Sequence, residues 1–596
     1  SILHFPHHCY WWIGGNSECC VLGILAIMNT CFSHRIIVSK KIMFFFMIFF
    51  VMISPAFAQV EHLPIIHPVY QFLEHCEAKG LLPHYSLSAL PLQRGEVQKA
   101  LRIIRKAEQE LSEDERGVLT HFESELLQER RINATVCEST VPVIDSKPFF
   151  FDGIVSNHEK AIYLQQDSLV TLYTTPLLSI ETSHRFDSSS ASMLTGQAGL
   201  RMHGTLRGNV GFFFQMTNGA LLSGDRSLAL DDPRLRQNVK FAVYNSDFDF
   251  TESHVRYDND WFYASIGRET RTLGAGFNHH QFVGKNAPPL DALMIGARSK
   301  TFEYRYTHAS LLSLPQDASG QIILPGQINS TGSDKFMPAK TLVMHRAAFR
   351  PTWGEIAVWE SVIYQNRTFD LAYLNPLSFL KSVEHSLRDR DNSAMGFDIS
   401  IRPMKQLIVK GAYLLDDLIF SKIGSDYWSN KSAFSVGAMY ALSAMNISLE
   451  YARVQPYTYS HFNVQNSMTN DGALITGSLR PNSDELSLGA SIFHGHRYPI
   501  RILIAYQRHG ANELATINGK DTILVNHGGN PLQAKRPNDS ELAPFLGGVL
   551  EESLRAQITG GFELIRGFNV QGLYGLRSQA GTLTHYVQAS LRFEDF

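Results

Sequence analysis

Phe302-Glu303-Tyr304-Arg305-Tyr306 sets three aromatic rings against a carboxylate and a guanidinium when the chain is extended. Successive side chains of a strand point to opposite faces, so Phe302, Tyr304 and Tyr306 share one side and Glu303 and Arg305 the other. Ile447-Ser448-Leu449-Glu450-Tyr451 repeats the pattern, with Ile447, Leu449 and Tyr451 opposed to Ser448 and Glu450. A strand of this kind has two homes. In a sandwich its apolar face packs on a second sheet. In a membrane barrel that face meets lipid and the polar face meets the lumen.

The same period of two runs through Leu169–Tyr173, Phe212–Gln215, Phe241–Tyr244, Trp261–Ile266 and Ile408–Tyr413, bounded by Gly, Asn, Asp and Pro. Aromatic residues gather near strand ends, as in Trp261-Phe262-Tyr263 and at Tyr457 and Tyr459. Such girdles favour the barrel. At about 25 residues per strand and connection, residues 151–596 are expected to form a transmembrane antiparallel β-barrel of about 18 strands. The last residues, Tyr586 to Phe596, alternate and end on an aromatic, like a barrel-insertion signal.

The N-terminal region points the same way. Lys40 and Lys41 precede an apolar run, Ile42 to Ile53, and then Pro55-Ala56-Phe57-Ala58. This is the order of a secretory signal, expected over 40–58 with the mature chain from Gln59. The apolar run is shorter than the roughly 20 residues of a membrane-spanning helix, which makes an uncleaved anchor the weaker alternative. Residues 1–39 carry Cys9, Cys19, Cys20 and Cys31 without periodicity and are expected to be translated upstream sequence, with the start near Val38. Their spacing matches no zinc pattern.

Between signal and barrel, residues 59–130 have helical period. Val69, Phe72, Leu73 and Cys76 share one face and Gly80 ends the segment. Val97, Ala100, Leu101 and Ile104 repeat it. Ser112 with Glu115 forms a capping-box pattern before Val118, Leu119 and Phe122. The expectation is a small helical bundle, followed by a linker over 131–150 that contains Pro142 and Pro148. Beyond the upstream segment the cysteines are Cys76 and Cys137, which can pair in an oxidising compartment or stay separate thiols. A formal charge of -3 on 596 residues gives no reason to expect nucleic acid. The mean hydropathy of -0.10 is that of a soluble protein or of a barrel, whose alternation hides its apolar band from any average.

Several ordered segments resemble the Wzi capsule-assembly family. They are Leu273–Phe277 with Gly284–Asp291, Ala372–Phe379 with Ser382–Ser386, Asp416–Leu418 with Lys422–Lys431, Glu450–His461, and Gly477–Leu486. Phe277-Asn278-His279-His280 stands where a turn richer in Arg and Gly is expected. The resemblance implies an outer-membrane barrel of about 18 strands with a helical bundle at its periplasmic mouth. It also implies a lectin that holds capsular or other surface polysaccharide, with no catalysis and no cofactor. The partners implied are that glycan, outer-membrane lipid and the barrel-insertion machinery of a Gram-negative bacterium.

Sugar polymers offer ring faces, hydroxyls and often uronates, so a site needs aromatic platforms, paired amides and carboxylates, and cations. The long connection from Phe369 to Asp391 supplies Tyr373, Asn375, Phe379, Glu384, His385, Arg388, Asp389, Arg390 and Asp391. Asp426, Trp428, Lys431, Arg453 and Tyr457 are the second group, with Tyr427, Tyr459, Lys422, Asn392, Asn430 and Asn482 as supporting platforms, cations and amides. The structural alternative is that Arg388-Asp389-Arg390-Asp391 pair with one another and stiffen a loop. Glu384-His385 lacks any nucleophile signature, adjacent Asp416 and Asp417 point to opposite faces, and adjacent His279 and His280 are badly placed for one metal, so neither catalysis nor a metal is expected. The alternative function is a porin-like channel for small solutes, glycan or lipid.

Overall fold

The computed structural model describes residues 59–127, 159–166, 169–187, 190–238, 241, 247–316, 322–323, 337–517 and 520–594. The expected upstream segment, signal and linker, and Cys137 of the expected pair with Cys76, lie outside them. Eighteen strands form a closed antiparallel barrel. In chain order they are β1 (Val170–Phe186), β2 (Ala191–Leu206), β3 (Val210–Gly224), β4 (Asp247–Asp258), β5 (Phe262–Glu269), β6 (Leu290–Arg298), β7 (Phe302–Leu311), β8 (Lys340–Phe349) and β9 (Gly354–Gln365). They continue with β10 (Asn392–Met404), β11 (Leu407–Asp417), β12 (Lys431–Ala441), β13 (Met445–Val454), β14 (Ser483–Ile492), β15 (Ile500–Ala511), β16 (Val549–Ile565), β17 (Phe568–Gln579) and β18 (Thr582–Phe593). Each pairs with the next, and β18 closes on β1 from His585↔Phe186 to Phe593↔Leu178. Beyond that seam the short strand Tyr163–Gln166 continues the wall along β1. Among the described residues no helix is long and apolar enough to cross a membrane.

The alternation sorts side chains as the sequence indicates. Phe302 faces outward and is 47% exposed, whereas Glu303 faces the lumen and is 5% exposed. Outward residues such as Ile266, Val358, Leu449, Leu554 and Phe562 leave an exposed apolar surface around the wall. Of the expected strand Phe241–Tyr244 only Phe241 is among the described residues; it lies in the connection after β3, buried edge-on against Phe248 at 5.6 Å.

Many inward charges of the described residues are paired. Arg346 bonds Glu355 at 2.6 Å and Asp398 at 2.8 Å, and Glu303 takes Arg305 at 2.7 Å and Arg350 at 2.5 Å. Removing one member of such a buried network typically costs about 3–5 kcal/mol, because the other charge is left unpaired.

One end of the barrel has short turns, such as Lys405-Gln406 and Arg566-Gly567, and there the helices dock. They are α1 (Val69–Ala78), α2 (Arg94–Lys106) and α3 (Glu113–Leu126). Phe72, Leu73, Val97, Leu101, Val118 and Phe122 are fully buried between them, with Cys76. Gly80 follows α1 at φ +82°, a conformation that suits glycine. Ser112 caps α3, its hydroxyl accepting from the Glu115 amide while the Glu115 carboxylate accepts from the Ser112 amide at 2.5 Å. Phe493, in the turn after β14, enters this core edge-on to Phe72 at 6.0 Å. Polar contacts fix the docking. Glu125 of α3 takes Arg497 and, at 2.9 Å, Arg566, both from short turns. Gln93 donates to Asp258 at 2.5 Å.

The bundle is met from the other end. The β5–β6 connection folds into the lumen, where Thr272-Leu273 pairs with Ala89-Leu90 of the bundle. The β13–β14 connection joins it, with the Gly284 amide donating to the Ile475 carbonyl at 2.8 Å. Inward residues of β6–β13 pack on these inserts in one apolar core, in which Phe282 stacks on Trp359 at 4.1 Å. That side of the lumen is solid.

Glu77 of α1 is fully buried, and its nearest cation is Arg402 at 3.5 Å. Burial, opposed by Lys410 and Arg402 and helped by Glu74 and Glu355, raises its carboxyl from 4.5 to about 7. The folded protein therefore holds this proton where the unfolded chain has lost it, so the contribution is full below pH 4.5 and fades as pH rises through about 7. Glu77→Gln is expected to remove roughly 3 kcal/mol of this pH dependence, read as a denaturant midpoint that no longer falls over that window.

Candidate functional site

The opposite side of the lumen is open at the long-connection end. Inward positions of β16, β17, β18, β1 and β2 line a cavity of about 1000 Å³, roofed by Leu228–Leu235, Phe248 and Phe250 after β3. The alternation places Arg555 and Gln557 of β16, Arg577 and Gln579 of β17, and Tyr586 and Gln588 of β18 on one wall. A second cavity of about 410 Å³ shares Gln507, Arg555 and Arg577 and adds Arg480. A third, of about 240 Å³, shares Gln588 and runs towards Arg501, Tyr498 and Gln71 at the bundle.

Its chemistry is amide-rich, with Arg185, Arg234, Arg555 and Arg577 set among Glu181, Asp187, Asp231 and Asp232. Arg577 is exposed and has no ion-pair partner among the described residues. Arg555 reaches Glu485 at only 3.4 Å and its Nε has no hydrogen-bond partner. Arg185 is held by Asp187 at 2.7 Å and Asp231 at 3.4 Å. The Tyr586 ring lies across Gly575, where any Cβ would sit 2.0 Å from it, and its hydroxyl donates to Gln557 at 3.4 Å. Glycine is thus required opposite this tyrosine. No connection motif marks this wall; its sequence signal is Arg555, Gln557, Arg577, Gln579 and Gln588 at inward spacing.

The first expected site group lies elsewhere. His345↔Glu360, Val343↔Val362 and Thr341↔Tyr364 share a face opposite to Leu342, Met344, Trp359 and Ile363, which fill the lumen. The cluster of Tyr306, Val343, Val362, Tyr364, Tyr373 and Leu380 is therefore on the outer wall, and the connection 366–391 folds over it. Tyr373 is fully buried, stacked on Tyr364 at 5.3 Å and donating to Asp391 at 2.9 Å, so its ring is no sugar platform. Asp391 also takes Arg367. The four consecutive charges do not pair with one another: Asp389 faces His385 at 3.6 Å, and Arg388 and Arg390 point to solvent. Glu384 is buried against Lys381 at 2.9 Å and Ser393. Asn375 closes a turn, its Oδ1 accepting from the Leu377 amide at 3.1 Å, and Phe379 is exposed at the start of the helix Leu380–Ser386.

The second group gathers at the rim with residues 526–545. Trp428 is half-buried, with Lys535 and Lys431 ammonium groups 5.4 and 5.8 Å from its ring. Lys431 also donates to the Ser460 carbonyl at 3.3 Å. Tyr457 is buried, edge-on to Trp428 and donating to the Asn526 carbonyl at 2.7 Å; like Tyr459 it offers no free ring face. Arg453 points outward and stacks on Phe545 at 3.6 Å. Asp426 is exposed, its carbonyl accepting from Ala543 at 2.7 Å. The two groups do not form one site.

Among the described residues two clusters bring three possible metal ligands together, His62–His254–Glu269 and Glu384–His385–Asp389. In the first, Arg271 already pairs with Glu269, Arg256 lies 3.4 Å from His62, and His254 Nε2 accepts from the His62 amide. Two guanidiniums there oppose a cation. The second is mostly exposed.

No protein family and no curated protein sequence matches the chain. Among solved structures it is similar to Wzi of Escherichia coli, described as an outer-membrane protein involved in group 1 capsule assembly and a carbohydrate-binding β-barrel. Identity is 10%, the TM-score 0.49, and 88% of this chain and 97% of that chain are covered. It is also similar to the outer-membrane protein OprD of Pseudomonas aeruginosa, at 9% identity and TM-score 0.39 over 70% of this chain and 94% of that one. OccAB4 of Acinetobacter baumannii gives 8% and 0.41, over 70% and 97%. At these values none of the three assigns a role to a residue of this chain.

Asp391→Ala is expected to unpin the connection 366–391 by removing the acceptor of both Arg367 and Tyr373. Limited proteolysis between Phe369 and Arg390 should accelerate at least several-fold, as roughly 2–3 kcal/mol of buried, charge-assisted bonding is lost, with the Arg577 side of the lumen unaffected.

Proposed function

We propose that the protein spans the outer membrane of a Gram-negative bacterium and holds an acidic surface polysaccharide in the open half of its lumen. The exposed apolar wall and edge-free closure support the membrane setting. The docked helices then lie on the periplasmic side, where the short turns are, and the long connections face outward. The observation that carries the ligand reading is Arg577, without an ion-pair partner among the described residues, beside Arg555 and a row of glutamines in a cavity of about 1000 Å³. Guanidiniums suit uronate carboxylates, amides suit hydroxyls, and the Tyr586 and Phe250 rings suit apolar sugar faces. The sequence resemblance to the capsule-assembly family agrees with this. No step of the reading requires a nucleophile or a metal.

A channel is the second reading, favoured by the third cavity, which continues the vestibule along β16–β18 towards the bundle. The packed core along β6–β13 and the Glu125 contacts that hold the bundle in the mouth speak against free flow.

The test is binding of the purified barrel to a polyuronate and to the host's surface polysaccharide. Arg577→Ala and Arg555→Ala are each expected to weaken binding about tenfold, the loss of one charge-assisted bond of roughly 1.5 kcal/mol. Tyr373→Phe should leave it unchanged. A large, steady single-channel conductance without saturable glycan binding would transfer the assignment to transport.

A further inference from the structure

The segment 366–391 does what a barrel connection seldom does: it turns back and lies on the outside of its own wall. The outward residues of β7, β8 and β9 form rows set by the registers. The two rows nearest the short turns are Phe302-Phe349-Ile356 and Tyr304-Ala347-Val358, apolar but for one hydroxyl. The next two are Tyr306-His345-Glu360 and His308-Val343-Val362. Strands of 10 to 12 residues are just long enough to span the apolar layer, so the polar rows fall within its height. An outward carboxylate and two imidazoles there would be costly if bare.

The segment covers them. Glu360 accepts from the Leu380 amide at 3.0 Å. Tyr306 donates to the Tyr373 carbonyl at 3.1 Å, and Tyr304 donates to the Pro376 carbonyl. Tyr304 also bonds His345 at 3.0 Å. Ser393 of β10 donates to Glu384 of the short helix. Phe369 stacks on His308 at 5.0 Å. Glu384, Asp391 and the Tyr373 and Pro376 carbonyls turn to the wall, His385 and Arg388 to Arg390 stay exposed, and Leu371 and Leu377, each 84% exposed, Phe369 at 65% and Phe379 at 57% also stand out from the segment. These are among the most exposed apolar side chains of the described residues, and they continue the band formed by Phe349, Val358 and Phe397.

We propose that this segment is a lipid-facing insert, whose Leu371, Leu377 and Phe379 contact the acyl chains of the outer leaflet in place of the polar wall beneath. The occupant follows from continuity with the exposed apolar band and from the polar rows the segment shields. It explains why a connection with helical turns carries Leu371, Leu377 and Phe379 with their side chains exposed. The inference rests on the barrel spanning a bilayer and is independent of its ligand.

Single tryptophans at Leu377 and Leu371 test it, in proteoliposomes of phosphatidylcholine brominated in mid-chain. Val358→Trp serves as the reference on the uncovered band and Gln579→Trp as the reference in the lumen. The emission gained by Leu377→Trp and Leu371→Trp over the parent protein is expected to be quenched at least half as strongly as that of Val358→Trp, and several-fold more than that of Gln579→Trp. Quenching equal to the Gln579→Trp value, with Val358→Trp still quenched, would overturn the insert and leave the spanning barrel standing. Loss of quenching that accompanies dimer-sized particles would overturn it in favour of a second copy. Failure to quench Val358→Trp would remove the bilayer on which the proposal depends.

Discussion

Pairing of β18 with β1 is the constraint from which the rest follows. Once the first and last strands exchange hydrogen bonds over Leu178–Phe186 and His585–Phe593, no edge is left and every residue of the wall must choose lumen or exterior. Backbone groups are then satisfied within the wall, and what remains is the disposal of side chains. Apolar residues sent outward need lipid, and charged residues sent inward need partners or water.

The lumen solves the second problem in two ways. Along β6–β13 the inward residues are apolar or already paired, and inserts from both ends pack on them until Ala89 meets Leu273 at mid-lumen. Along β16–β18 and β1–β2 the inward residues are mostly glutamine, serine, threonine and arginine, with Glu181, Met193 and Tyr586 among them, and little there favours an apolar plug. The open cavity is what the plug leaves uncovered, and within it Arg555 reaches Glu485 only at 3.4 Å and Arg577 has no ion-pair partner among the described residues.

The exterior departs from an apolar band most clearly over one stretch of wall. Over β7–β9 the outward rows include His345 and Glu360, and the chain covers them with its own connection. The charges that looked like a ligand set in the sequence are divided by this packing: Asp391 and Glu384 are consumed by Arg367, Tyr373, Lys381 and Ser393, while Arg388 and Arg390 stay at the surface.

The sequence by itself determined the class of fold. A period of two in Phe302–Tyr306 and Ile447–Tyr451 dictates which side chains point together whatever the surroundings, and the length available dictates about how many strands there are. The helical bundle was legible for the same reason, from the period of Val97, Leu101 and Ile104 and the Ser112–Glu115 cap. Tertiary structure alone decided where the connections go. An aromatic and charged loop reads identically whether it folds into the lumen, stands at the rim or lies on the outer wall, because local pattern fixes neither the direction of a turn nor the partner of a carboxylate. Tyr373 became core and Arg577 became open to the lumen through contacts between residues far apart in the chain, and those contacts have no signature in the spacing of either.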